Sequence, residues 1–540
     1  MTEKTTAPET ELATHSVENQ PGPPPAADLW ATDRPLRETL ETAGGRREVA
    51  AKAGAGFGST ELRHAGEEAR RHPPELRLFD RAGRRLDEVA FHPGYHEIMS
   101  AGMEHGYAHV AWDGAPGGHA THAAMVYMLS QVEPAICCPL TMTYAAVPAL
   151  SATPEAAAVW QPKLTAHKYD PAIAPVAAKR SATMGMAMTE KQGGSDVRAN
   201  STRAVRSGDD WVLTGHKWFC SAPMSDGFLT LAQTDNGLSC FLVPRWLDEG
   251  RNGIRIQRLK AKLGNIANAS SEIEYHGARA TLLGEDGRGV NTIIEMVHHT
   301  RLDTAMAPAG LMRAALVEVN HWISGRRTFQ KRLIDQPLMR TVVADLVLDW
   351  EGALALGMRA AQAFDGDTPE ERSFARIAVA LAKYNSNKRA PQVIVEAMEC
   401  LGGMGYVDDT PMPMFYREAP LNSIWEGSGN VICLDILRTL ARDPGAGEAL
   451  RSELEAATGV DRRYDAALGA HMERWPGLPE EAEVRWFAES LAGLLAGSVL
   501  LRTGHPAVAD GWVATRVAGN RGLIPGSVSG LDTEALLARL

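Results

Sequence analysis

The chain has 540 residues, room for three or four domains of about 150 residues each, and its 44% hydrophobic and 22% charged content is that of a globular protein. Small disulfide scaffolds, disordered chains and coiled coils are excluded. Lys plus Arg number 55 against 66 Asp plus Glu, a net charge of −11, so a uniformly basic surface for nucleic acid or anionic membrane is excluded and any polyanion site has to be local.

Six cysteines (Cys137, Cys138, Cys220, Cys240, Cys400, Cys433) show neither CxxC spacing nor a paired framework, so a reducing compartment, the cytoplasm, is expected and no metal site. The opening MTEKTTAPETELATHS lacks the basic and apolar regions of a leader. No run approaches the ~18 apolar residues of a membrane span. The longest, Leu491 to Leu501, contains glycines.

Residues 1–30, rich in Thr, Glu and Pro and ending in PGPPPAA, read as a flexible arm. Residues 31–182 carry helical spacing in stretches such as RPLRETLETAG and HATHAAMVYMLSQVEPA and predict an N-terminal α-helical domain. Over 183–290 the period becomes alternating: STRAVR, SGDD and WVLTGHKWF spell strand, turn, strand, and GFLTLAQT and LSCFLVPR flank the turn TDNG, predicting a middle β domain. Helical spacing returns over 291–442, and 443–540 form a helical extension broken at Asp443-Pro444-Gly445 and Trp475-Pro476-Gly477. From 441 to 540 there are 10 Arg, no Lys and 14 acidic residues, a net of −4.

Five segments carry chemistry. In MTEKQGGSDVRANSTRA (188–204), Gly193 and Gly194 beside Thr189 and Ser195 offer open amides and two hydroxyls to a phosphate or a polar ring edge, or form a polar turn between strands. In GHKWFCSAP (215–223), Trp218 and Phe219 lead into Cys220 and Ser221, either the aromatic wall of a flat cofactor or an ordinary buried tryptophan. A nucleophilic Cys220 has no basic partner at telling spacing.

In SGRRTFQKRLIDQPLMR (324–340), Arg326, Phe329 and Gln336 supply a cation, an aromatic and an amide, suited to a pyrophosphate or to a solvated basic face. In ECLGGMGYVDD (399–409), Gly402, Gly403 and Gly405 exceed the single glycine a helix end requires and permit close backbone approach. In LNSIWEGSGNVICLDILR (421–438), Glu426 stands between Ile424-Trp425 and Gly427, ahead of a helix starting near Ser428 to Asn430. It reads as a desolvated general base or as an acid capping that helix.

Together with LGNIANASSEIEY and FYREAP, these segments, in this order, resemble the acyl-CoA dehydrogenase superfamily and its AidB-type branch of alkylation-response relatives, most strongly over residues 73–442. The resemblance implies a mainly α fold with a central β domain: an N-terminal helical domain, a β-barrel domain and a four-helix bundle, here with a C-terminal helical extension, usually a homotetramer holding FAD at the subunit seam. It implies that Met188, Thr189, Gly194, Ser195, Trp218, Cys220 and Ser221 meet the flavin ring and ribityl chain. Arg326, Phe329, Gln336, Gly402 and Gly403 resemble residues reaching a cofactor across the dimer interface, and Trp425, Gly427, Ser428 and Asn430 would close over it.

Glu426 matches the base that takes the α-proton of an acyl-CoA or related thioester. The minority position for that base, ahead of an Arg, is Thr300 before Arg301, which cannot serve. Two positions depart from the family pattern: Gln330 stands where Gly follows Phe, and Glu399 where Gln precedes the paired glycines.

The implied function is FAD-dependent dehydrogenation of a thioester. The alternative, implied by the branch, is a flavoprotein binding double-stranded DNA through the extension. The charge of 441–540 does not support it, and Arg462, Arg463, Arg516 and Arg521 are the local candidates for phosphate contacts. A flavin monooxygenase on the same scaffold would have no use for a base at Glu426.

Overall fold

A computed structural model describes residues 8–540; the start of the proposed arm, 1–7, lies outside the described residues. The first helices are α1 (Arg34–Thr42), α2 (Arg47–Phe57) and α3 (Thr60–Arg71), followed by strands β1 (Glu75–Phe79) and β2 (Arg85–Ala90) and by α4 (Pro93–Glu104), α5 (Gly118–Leu129), α6 (Pro134–Leu150) and α7 (Pro154–Leu164). The β1–β2 hairpin corrects the all-helical reading of 31–182. Its strands are only 5 and 6 residues long and leave most of their side chains partly exposed, so they carry little apolar periodicity. They are anchored by tertiary contacts, Asp87 accepting the amide of Ile256 at 2.9 Å.

The middle region holds β3 (Met184–Ala187), β4 (Arg203–Ser207), β5 (Asp210–Ser221), β6 (Gly227–Thr234), β7 (Gly237–Pro244), β8 (Trp246–Leu247), β9 (Gly250–Arg251), β10 (Ile254–Leu259) and β11 (Ser270–Leu283). The sheet order is β10-β11-β5-β4-β6-β3, and β7 pairs with both β6 and β11. That second pairing closes the sheet into a barrel around Leu213, Phe228, Phe241, Ile273 and Tyr275.

Then come α8 (Gly289–Gly325), the short hairpin β12 (Arg327–Thr328) and β13 (Lys331–Arg332), α9 (Pro337–Phe364), α10 (Pro369–Cys400), α11 (Met412–Glu418) and α12 (Gly429–Arg442). Helices α8, α9, α10 and α12 form the bundle, with Leu311, Leu346, Trp350, Ile377, Leu381 and Ile436 fully buried. The extension consists of α13 (Pro444–Glu455), α14 (Arg462–Arg474), α15 (Val484–Thr503), α16 (Pro506–Trp512) and α17 (Thr533–Leu537).

Residues 481–503 are long and apolar enough to pass as a membrane span by composition, contrary to the sequence reading, yet 72% of that window is buried within the protein. Phe487, Leu491, Leu495 and Leu500 are covered, and α15 packs on α9, α10 and α12, so it is a core helix. Part of the N-terminal arm is laid on the end of α8: Asn19 accepts the amide of Arg327 at 2.6 Å, and the His321 ring bonds the carbonyl of Gly22 at 2.8 Å.

Candidate active site

Between the 3₁₀ turn Leu421–Ser423 and α12 the chain reverses through two left-handed residues, Glu426 (φ 55°) and Gly427 (φ 102°). Glycine adopts that conformation freely, whereas glutamate there is strained by about 1 kcal/mol. The strain is held from two helices. Thr300 Oγ1 of α8 donates to Glu426 Oε2 at 2.6 Å, and Arg301 Nε donates to the Glu426 carbonyl at 3.2 Å while its Nη1 bonds Asp435 at 2.6 Å. On α10, Lys383 Nζ donates to the carbonyls of Asn422 (2.7 Å) and Gly427 (3.1 Å).

The carboxylate of Glu426 therefore faces α8 and caps no amide of α12, which removes the capping reading. Burial pushes its pKa above the usual carboxylate range, against the opposing pull of the Thr300 hydroxyl and the charges of Arg301 and Lys383. Trp425 folds back on the loop, its Nε1 donating to Asn422 Oδ1 at 2.9 Å, and packs against the edge of the buried cluster that includes Met142 and Tyr144. The Ser428 hydroxyl caps no amide of α12, so the first-turn N–H groups there remain available.

The second wall is the 188–204 segment and the end of β5. Glu190 and Lys217 form a fully buried ion pair at 2.8 Å beneath it. Glu190 also accepts the Ser201 amide and Gln192 Nε2, both at 2.7 Å, and Lys217 Nζ with its neighbours holds this carboxyl down at about 2. The turn carrying Thr189, Gly194 and Ser195 is thus pinned from below, and Trp218 N–H donates to the Thr189 carbonyl at 2.7 Å. Trp218 is half-buried and Lys260 Nζ lies 3.2 Å from its ring centre.

Ser221 Oγ meets Ser270 Oγ at 3.2 Å. The Cys220 side chain points the other way, into the barrel core, so only its main chain faces the site. Burial pushes its thiol up to about 12, no condition for a nucleophile. Cys138 of α6, beside Ser221 and Asn268, is likewise pushed up to about 12 by burial.

Arg326, Phe329, Gln336, Gly402 and Gly403 stand apart from this cluster. Thr300 and Arg326 are 26 positions apart along one helix and its cap, about 39 Å at 1.5 Å per residue. Phe329 (φ 49°) and Gln330 (φ 67°) form the hairpin tip, with Phe329 93% exposed; both central residues are left-handed, and Gln330 holds the conformation in which the family pattern has glycine. Gln336 Nε2 donates to Thr328 Oγ1 at 2.8 Å. Arg326 Nη1 is engaged by the arm, at 2.6 Å to the Asn19 carbonyl and 2.8 Å to Gln20.

The donor set fits a flat polar cofactor. A side chain on Gly194 would meet only Thr189, at 3.5 Å, and one on Gly402 or Gly403 nothing within 4 Å, so these backbones are open to close approach. Asn268, buried among these elements, has both side-chain amide atoms unpartnered. Sequence reasoning missed Lys383, Arg301, Asn268 and the Glu190–Lys217 pair, and treated Thr300 only as a failed base.

Three family models match consecutive parts of the chain: the adaptive response protein AidB N-terminal domain over residues 19–171, the acyl-CoA dehydrogenase middle domain over 185–278 and the acyl-CoA dehydrogenase C-terminal domain over 287–441. AidB of Escherichia coli (strain K12) is 41% identical over 507 residues, 92% of this chain and 94% of that protein. The chain belongs to the acyl-CoA dehydrogenase family.

Within that family it is also similar to acyl-CoA dehydrogenase family member 11 of Caenorhabditis elegans, 31% identical over 82% of this chain and 75% of the relative. The crystal structure of Caenorhabditis elegans ACDH-11 in complex with C11-CoA superposes with a TM-score of 0.84 at 26% identity, covering 98% of this chain and 97% of the other. The fold expected from the resemblance, helical domain, β barrel and bundle, is therefore the family's fold.

Proposed function

We propose that this family member is an FAD-dependent dehydrogenase of acyl-CoA or a related thioester, with Glu426 as the base. The observation that carries the reading is the carboxylate of Glu426, set in a left-handed turn, bonded to Thr300 at 2.6 Å and raised in pKa by burial. A carboxylate in water is too weak a base for an α-carbon acid; a desolvated one is stronger and still accepts its hydrogen bond without reorganising. Glu426 takes the α-proton onto a carboxylate oxygen while the β-hydrogen departs with its electron pair and the Cα–Cβ double bond forms. A bound flavin supplies the acceptor for that hydride.

Thr300 holds the carboxylate in one orientation, and Arg301 and Lys383 favour its ionised form against the effect of burial. Met188, Thr189, Gly194, Ser195, Trp218, Ser221 and the main chain of Cys220 would hold ring and ribityl chain. Trp425, Gly427, Ser428 and Asn430 would cover them. Arg326, Phe329 and Gln336, just past the C-terminal end of α8, and Gly402 and Gly403, just past α10, would serve the cofactor of a neighbouring subunit in a homotetramer. The six cysteines, all free and buried, support a reducing compartment such as the cytoplasm.

The alternative of a DNA-binding extension gains no support from its arginines. Arg516 is buried against Asp345 and Asp349, Arg521 lies 3.5 Å from Asp345, and Arg463 sits between Asp461 and Asp510 at 2.6 and 2.7 Å. Of the four local candidates only Arg462 is exposed without an acidic partner among the described residues.

Anaerobic titration of the purified yellow protein with a panel of acyl-CoAs tests the reading. Bleaching of the flavin bands by at least one thioester, lost in Glu426→Gln with the cofactor retained, is expected. Flavin that stays oxidised with every thioester, or undiminished reduction in Glu426→Gln, refutes it.

A further inference from the structure

Lys383 lies in the middle of α10, 1% exposed, and no carboxylate lies within ion-pairing distance among the described residues. Its hydrogen bonds go to two main-chain carbonyls, Asn422 O at 2.7 Å and Gly427 O at 3.1 Å. A charge taken out of water is ordinarily repaid by an opposite charge in contact, and carbonyl dipoles repay it incompletely. An apolar side chain of the same length would fill the space without that penalty. What an apolar side chain cannot do is join two points of the loop, and those two points bracket Glu426.

We propose that Lys383 is a positioning residue for the dehydrogenation: its ammonium clamps the carbonyls on either side of Glu426, holding the left-handed turn closed, and its charge favours the ionised form of that carboxylate. The inference rests on Glu426 being the base. Neighbouring contacts act in the same sense from other sides. Lys388, a turn further along α10, donates to Ser423 Oγ at 2.9 Å, and Arg301 of α8 holds the Glu426 carbonyl while itself tied to Asp435 of α12.

Among the described residues Lys383 alone bonds both the Asn422 and the Gly427 carbonyl. The charged groups facing it are Glu426, which favours its ammonium, and Arg301 and Lys388, which oppose it; burial is the largest influence and brings Lys383 down to about 7. Above that pH the amine keeps its N–H donors but loses the charge assistance that makes such bonds roughly twice as strong.

Two variants of the flavin-loaded protein separate clamp from charge. Lys383→Met removes both donors and charge; Lys383→Gln keeps amide donors without charge, and it also stands in should the first fail to fold. Two measurements are made on each: hydrogen exchange of the Ile424 and Trp425 amides, which bond the Leu421 carbonyl at 2.8 and 3.1 Å, and the pH dependence of single-turnover flavin reduction by butyryl-CoA.

Lys383→Met is expected to speed exchange of those amides tenfold or more while the rest of α10 keeps its protection. It also moves the acidic limb of the reduction profile to higher pH. Lys383→Gln is expected to recover most of the loop protection while its acidic limb stays displaced, a split that a merely structural lysine would not produce. Unchanged loop exchange in Lys383→Met overturns the clamp, and an acidic limb identical to the wild type in both variants overturns the electrostatic part. If neither butyryl-CoA nor any other thioester of the panel reduces the wild-type flavin, the dehydrogenase reading fails, and loop exchange still decides the clamp.

Discussion

Replacing Thr300 by Val removes one hydroxyl from the environment of Glu426 and leaves the shape of the α8 surface nearly unchanged. Thr300 is 1% exposed and donates at 2.6 Å to Glu426 Oε2. A hydrogen bond to a charged acceptor contributes about 1.5–3 kcal/mol, and at 1.36 kcal/mol per tenfold that is a ten- to hundredfold change in the protonation equilibrium. The donor stabilises the carboxylate and not the acid, so its loss raises the Glu426 pKa beyond the value burial already imposes. The acidic limb of single-turnover flavin reduction should therefore move to higher pH, with the plateau at high pH reduced much less.

Stability follows from the same linkage. A carboxyl raised in the fold contributes stability that is fully present below its unfolded value and lost as pH rises through the folded value. Thr300→Val should accordingly melt with the wild type near pH 4 and below it at pH 8, by up to about 3 kcal/mol. An acidic limb that stays in place, or moves to lower pH, would refute the assignment of Thr300 as a donor that favours the ionised form of Glu426.

Other perturbations reach the supporting structure. Glu190→Gln strands the buried Lys217 charge and should cost about 3–5 kcal/mol in denaturant unfolding, with weakened flavin retention because the Thr189–Ser195 turn loses its anchor. In the wild type the Glu190 contribution, held down at about 2, is present above the ordinary carboxylate range and lost as pH falls from about 4.5 toward 2, an acid limb of stability that Glu190→Gln should lack. Arg516→Ala should destabilise by a similar 3–5 kcal/mol, leaving Asp345 and Asp349 short of compensation. It should leave DNA retention at low salt unchanged, and a loss of retention in this variant would reopen the nucleic-acid reading. Trp512, fully buried over Gly352 with its Nε1 bonded to the Gly493 carbonyl at 2.9 Å, should cost about 3–5 kcal/mol as Trp512→Ala and make the extension sensitive to limited proteolysis.

The change of period from helical to alternating near residue 183 and back near 291 was legible because strands such as β11 alternate buried and exposed side chains, whereas a bundle helix such as α9 carries a long apolar run. The β1–β2 hairpin was not, since short, partly exposed strands leave no repeating apolar signal. In α15, a helix buried on most sides reads like a membrane span, and only its neighbours distinguish the two.

At the site, Glu426 stood out because a carboxylate between Trp and Gly is chemically unusual, and Trp218 because adjacent aromatics stand near the end of a strand. Lys383 carried no such signal. On a helix with the pattern RIAVALAKYNSNKR it looks like one more solvent-facing lysine, and its role exists only because a loop some forty residues later folds onto it.

The separation of Thr300 from Arg326 along α8 has a structural consequence of its own. One extended cofactor cannot be gripped from two points along a helix about 39 Å apart, and the hairpin with Phe329 at its tip faces outward. In this chain the same Arg326 is already bonded to Asn19 and Gln20 of the N-terminal arm. A guanidinium has five donors, and only Nη1 is engaged there, so the arm orients Arg326 without saturating it. Deleting residues 1–22 should therefore loosen the hairpin and lower cofactor retention in the assembled protein while leaving the Thr300–Glu426 geometry untouched. Full retention of flavin by the truncated chain would show that the arm merely rests there.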